Sequence, residues 1–179
     1  MDAWSTSVYL VSMPNSSRPP SAATLTTTVG AMVLSVPLMT FTLYFVLVTD
    51  DGFGDFPATW ALAILALAVG AYAFCEYVGF RTAPLEHGGE PHEVEAASWM
   101  RFTTSTFVRF AVCEAVFLIS VPLGIITQSF WIVLVGAALG LALLTWEVWP
   151  GPRNQRRFAA ALEARGVPSY LPGRPQDHL

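Results

Sequence analysis

Lysine is absent from this chain: all nine basic residues among its 179 are arginine. Charge of either sign is scarce, at 12% against 54% hydrophobic residues, which leaves too little polar surface for a soluble domain and points to a multi-pass membrane protein. Cysteine occurs twice, as Cys75 and Cys113, each inside an apolar run where a thiol packs as a small hydrophobe. Also missing are a Ser/His/Asp set, a phosphate-binding loop and a metal cluster of diagnostic spacing, so neither an enzyme nor a cofactor is expected. The apolar runs do not alternate with period two, which excludes a β-barrel.

What is present is four apolar runs, at 24–48, 58–80, 104–127 and 130–149, each long enough to cross a hydrocarbon core about 30 Å thick. The expected fold is an all-α, polytopic four-transmembrane-helix bundle. Pro37 and Pro122 fall inside spans one and three, where kinks are expected. The link TDDGFGDFP between spans one and two carries three aspartates and no arginine, and the turn at Gln128 and Ser129 is uncharged. Arginine lies on the other side, as Arg18, Arg81, Arg101, Arg153, Arg156, Arg157, Arg165 and Arg174, so the positive-inside rule places both termini in the cytoplasm. Trp60 and Trp131 then mark the outer interface, and Trp99, Trp146 and Trp149 the inner one. Residues 1–23 read as a disordered tail without the basic start of a cleaved signal, leaving span one as an uncleaved anchor. Arginine used to the exclusion of lysine reads as the codon bias of a GC-rich bacterial genome, and the expected location is the bacterial plasma membrane.

Two features recur. Ser-Val-Pro-Leu stands at 35–38 and again at 120–123, and spans two and four each run from Trp through fifteen residues to Glu, as Trp60 to Glu76 and Trp131 to Glu147. Either the chain consists of two related hairpins, forming a parallel repeat, or shared membrane composition produces the echo.

The third span holds Arg109 and Glu114. Each buried charge costs roughly 2.5–3.5 kcal/mol on insertion scales, while each large aliphatic or phenylalanine returns about 0.3–0.6. Such a helix needs partners. Depth picks them: at 1.5 Å per residue Arg109 lies about 10 Å from the midplane, level with Glu76 and Glu147. It either snorkels to the interface or pairs with one of those acids, and the two are compatible. Glu114, about 3 Å from the midplane, is read as a structural carboxyl hydrogen-bonded to Ser35, Thr40, Thr42 or Ser120, or as a reversible proton or cation site. Arg109, Glu114, Glu76, Glu147 and Ser120 form the expected intramembrane polar site.

The stretch Arg109-Phe-Ala-Val-Cys-Glu114-Ala-Val-Phe-Leu-Ile-Ser120 resembles the proton-carrying helix of rotary ATP synthase subunit c, with Ser120 at the position of that family's glycine. Gly30 and Gly70 stand alone, without the closely spaced glycines of a rotor ring, so the resemblance implies a carboxyl site rather than a rotor. From span one to Gly166 the chain is also similar to a loose group of uncharacterised four-helix bacterial membrane proteins with a segment like RFAVCEAVFLISVPLG and a Pro-Gly-Pro-Arg-Asn style exit. That group implies a topology and no activity.

The loop after span two carries His87, Glu90 and His92, weak zinc candidates that read first as a solvated acidic loop, and a short helix leads from Pro91 into span three. After span four, residues 153–165 form an amphipathic helix with Phe158, Ala161 and Leu162 opposite Arg153, Arg156 and Arg157, expected to lie on the anionic inner leaflet. The patch is too small to favour nucleic acid. Gly136 and Gly140 form a small-xxx-small face, for packing within the bundle or against another chain. The expected role is structural or accessory, with the lipid bilayer, a second copy or a larger membrane complex as partners; a proton- or cation-linked transport component using Glu114 is the alternative.

Overall fold

The computed structural model describes residues 22–48 and 52–171. The tail before them, Asp50 and Asp51, and the proline-rich end with Arg174 lie outside the described residues. Those residues form helices and no strand: α1 (Ala22–Leu47), α2 (Ala58–Phe74), α3 (Pro91–Thr127), α4 (Phe130–Leu143) and α5 (Pro152–Leu162). α2 runs on through a π turn, Cys75–Gly79, and α4 through another, Leu144–Val148. Four helices, counting these extensions, are long and apolar enough to cross a membrane, and the chain is an all-helical membrane protein. Pro37 and Pro122 both lie inside continuous helix. The lead-in expected at Pro91 is not a separate short helix; it is the start of α3, which runs 37 residues without a break.

The centre of the bundle is the antiparallel pair α3 and α4, whose close approach depends on two glycines. A Cβ on Gly136 would collide with the Ser120 side chain and press on the Val116 carbonyl, and one on Gly140 would sit 3.2 Å from Phe117 Cβ. The small-residue face is therefore used inside the molecule. α2 packs on both members of this pair, with Ile64, Ala68 and Ala71 buried beside Val116. α1 also lies against α3 and α4, yet it barely touches α2. The two hairpins are therefore unlike in packing. Both π turns contain the echoed glutamate, and Ser35 and Ser120 each donate to the carbonyl three residues back, at 2.6 and 2.7 Å. The α3–α4 pairing nevertheless has no counterpart in α1 and α2.

At the acidic end, the Asp55 loop is strapped to the α3–α4 turn. Ser129 Oγ donates to the Asp55 carbonyl at 2.7 Å and the Phe130 amide to the Phe53 carbonyl at 2.9 Å. Gln128 ends α3 in the left-handed region at φ 48°, and Gly54, at φ 73°, packs so closely under its carbonyl that no side chain fits there. Tyr44, Phe53, Phe130 and Trp131 stack edge to face around this corner.

At the arginine-bearing end, α5 docks on the bundle. Its Phe158 and Leu162 are buried, the Phe158 ring centroid stands 5.5 Å from that of Phe102 in α3, and the Leu162 carbonyl accepts the Leu85 amide at 2.9 Å. This corrects the expectation of a helix laid on the leaflet, because protein rather than lipid covers its apolar face. Trp99 departs from the aromatic belt for the same reason: it is buried, 5.9 Å from Phe102, whereas Trp60, Trp131, Trp146 and Trp149 are exposed.

Candidate functional site

α3 carries its buried residues on one stripe, and Arg109 falls on it together with Phe102, Thr106, Cys113, Val116 and Ser120. The arginine is 0% exposed. Its Nε donates to the Ser105 carbonyl at 3.3 Å, Nη2 to Thr106 Oγ1 at 3.3 Å, and Nη1 to the backbone carbonyl of Glu147. The aliphatic stem lies where a side chain on Gly79 would be, 2.6 Å from the Cβ position to Arg109 Cγ, so a glycine at the end of the α2 π turn creates the seat. Ser105 Oγ closes the other side with a 2.5 Å bond to the Gly79 carbonyl.

The acids expected to pair with Arg109 are at its level but are bonded differently. Glu76 receives both Nη atoms of Arg157, from α5, at 2.8 and 2.6 Å. This bidentate bond holds the Arg157 guanidinium above its ordinary range, so it is charged at any working pH. Both Arg109 and Arg157 place their guanidinium carbon 4.1 Å from the Phe80 ring centroid, and the aromatic face thereby serves two cations. Glu147 is 0% exposed, and neither carboxylate oxygen takes a hydrogen bond from a described residue. Arg153 Nη1 stands 4.0 Å from one of them. Arg109, Arg153 and Arg157 all act on that carboxyl electrostatically, as does Glu76. Arg109 bonds only to neutral oxygens, and the Glu147 carboxyl acts on that buried guanidinium through space and offsets part of its charge.

Asn154 completes the layer. Its amide nitrogen lies 3.3, 3.1 and 2.9 Å from the carbonyls of Trp146, Glu147 and Trp149, capping the end of the α4 π turn, while Arg153 donates to Trp146 at 2.9 Å and covers that ring at 4.3 Å. Sequence reasoning missed Asn154 and Phe80. The signal for the first was available: Pro152 opens α5 directly after the span, so the residues just behind it face the last carbonyls of α4.

One step toward the membrane centre, Cys75 and Cys113 are free, fully buried thiols with their sulfurs 3.6 Å apart. Both pack in apolar surroundings, and they meet between α2 and α3, a proximity the sequence did not indicate.

Glu114 and Ser120 lie apart from this layer. Ser120 donates to the Phe117 carbonyl and is buried under Gly136. Ser35, Thr40 and Thr42 likewise bond their own helix, at 2.6, 2.8 and 3.0 Å, so none of the four expected partners reaches Glu114. Glu114 is half-buried and takes no hydrogen bond from a described residue. It falls on the α3 flank of Phe110, Phe117 and Val121, which share an apolar cluster with Leu25, Val29 and Val36 of α1. His87, Glu90 and His92 are exposed, and among the described residues no three His, Cys, Asp or Glu side chains are grouped to hold a metal.

The fold and this layer define a class, a multi-pass helical membrane protein whose spans are fastened by charge at one end. No protein-family model matches the chain, and no curated protein or solved structure is detectably similar to it.

Proposed function

We propose that this protein is a non-catalytic structural or accessory component of a bacterial plasma membrane, with both termini in the cytoplasm, that associates with itself or with a larger membrane complex. The observation that carries the reading is the use made of intramembrane charge. Arg109 bonds the Glu147 carbonyl and Glu76 bonds Arg157, so these groups tie α2, α3, α4 and α5 together, which supports a structural use of the charge. α1 supports the associating role, since it buries only Leu25, Val29 and Val36 and turns Leu34, Leu38, Phe41 and Phe45 outward. Purification in mild detergent tests this. The expected result is elution above monomer mass, alone or with companions, and a strictly monomeric, companion-free protein overturns it.

One observation favours a second reading, a proton- or cation-linked transport component using Glu114: that carboxyl is half-buried at mid-span without a described hydrogen-bond donor. Liposome flux separates the two. A flux abolished by Glu114→Gln supports transport, whereas no flux above protein-free vesicles supports the structural role.

A further inference from the structure

Where α2 ends against α3, a groove of about 380 Å³ opens on the bundle surface, backing onto the Arg109 seat through Gly79 and Ser105. Its rim is Arg81, Thr82 and Arg101, and its wall along the bundle is Val78, Thr104 and Val108. Polarity is graded along its length. Cations stand at the end of α2 and beyond, where the chain leaves the membrane, while Val78 and Val108, each nearly half exposed, lie toward the hydrocarbon.

We propose that this groove is a binding site for one anionic phospholipid, its phosphodiester held by Arg81 and Arg101 and the start of an acyl chain laid along Val78 and Val108. The two arginines suit this task in different ways. Arg101 is fixed, because Nη1 donates to the Ala83 carbonyl at 2.9 Å and so orients its remaining N–H groups. Arg81 is exposed and its guanidinium has no hydrogen bond or ion pair to a described residue, leaving its whole fork for a phosphate. No acid lines the groove, so an anion meets no counter-charge there. A lipid is favoured over free phosphate because the wall is mostly apolar and continues into the span.

Native mass spectrometry of the full chain in mild detergent provides the test, titrating phosphatidylglycerol and phosphatidylcholine of identical acyl chains. One phosphatidylglycerol is expected to be retained several-fold more tightly than phosphatidylcholine. Arg81→Gln and Arg101→Gln should each weaken phosphatidylglycerol about fivefold, the effect of losing one arginine near the surface. Val108→Trp, which fills the wall and leaves the charges in place, should weaken both lipids, whereas Arg156→Gln, exposed on α5 outside the groove, should change neither. Equal retention of the two lipids overturns the site, as does a loss in Arg156→Gln matching that in Arg81→Gln. Displacement of phosphatidylglycerol by inorganic phosphate at equal concentration would overturn the lipid assignment in favour of a free anion. Unfolding temperatures of the variants, followed by tryptophan fluorescence, keep lost binding distinct from lost structure.

Discussion

Arg109 has no exposed surface, yet its three hydrogen bonds all go to neutral oxygens: two in its own helix and one on the Glu147 backbone. Its counter-charge acts across space, and this makes a specific demand on variants. Arg109→Leu leaves the Glu147 carboxyl buried beside fewer cations and should destabilise the bundle by about 3 kcal/mol or more, the usual cost of removing one member of a buried charge pair. Adding Glu147→Leu should recover a large part of that loss. Unfolding in detergent measures both. A double variant no better than the single one would show that the two charges are not coupled. Depth arithmetic made this layer legible before any fold was known, because 1.5 Å per residue fixes height within a span. Azimuth was not legible. Which way Glu76 turned, and that Arg157 would reach it first, depended on how α5 folds back, and nothing local encodes that.

At the scale of elements, the α3–α4 seam and the α5 dock make contrasting predictions. Gly136→Ala places a methyl on Ser120 and should cost about 1–3 kcal/mol by overpacking. Ser120→Gly in the same chain opens the space and should restore most of it. Gly70→Ala, with nothing within 4 Å of the new methyl, should instead stabilise by up to about 1 kcal/mol through helix propensity. Thermal unfolding of the three variants distinguishes seam from solvent-like surface. For the dock, the Glu76–Arg157 pair is partly exposed, at 24% and 32% of the side chains, so its own contribution is about 1 kcal/mol or less. Glu76→Gln should therefore loosen α5 without unfolding the spans, seen as faster tryptic cleavage after Arg156 and Arg165. Glu76→Arg combined with Arg157→Glu should slow it again. The periodic face of Phe158 and Leu162 announced an amphipathic helix, but periodicity names a buried face without naming what buries it. Here Phe102, Leu85 and the helix ends replaced the leaflet.

For the whole molecule, the spans were readable because continuous apolar runs are a local property, while the proposed sidedness rests on arginines crowding one set of links. A single cysteine placed at Asp55 should react with an impermeant maleimide in intact cells, and one placed at Arg165 only after permeabilisation. The native thiols do not interfere, since both are buried. Labelling in the opposite sense would reverse the proposed orientation. The packing order escaped sequence reasoning. Repeated tetrapeptides and Trp-to-Glu spacings suggested paired hairpins, whereas Gly136 and Gly140 let only α3 and α4 come close enough to form one.

The length of α3 has its own consequence. A helix of 37 residues measures about 55 Å, nearly twice the hydrocarbon thickness. The surplus begins at Pro91 and is braced at Phe102 by Phe158 of α5. With Pro91, His92 and Glu93 exposed, that stretch gives the protein a helical surface of its own in excess of what a single crossing uses.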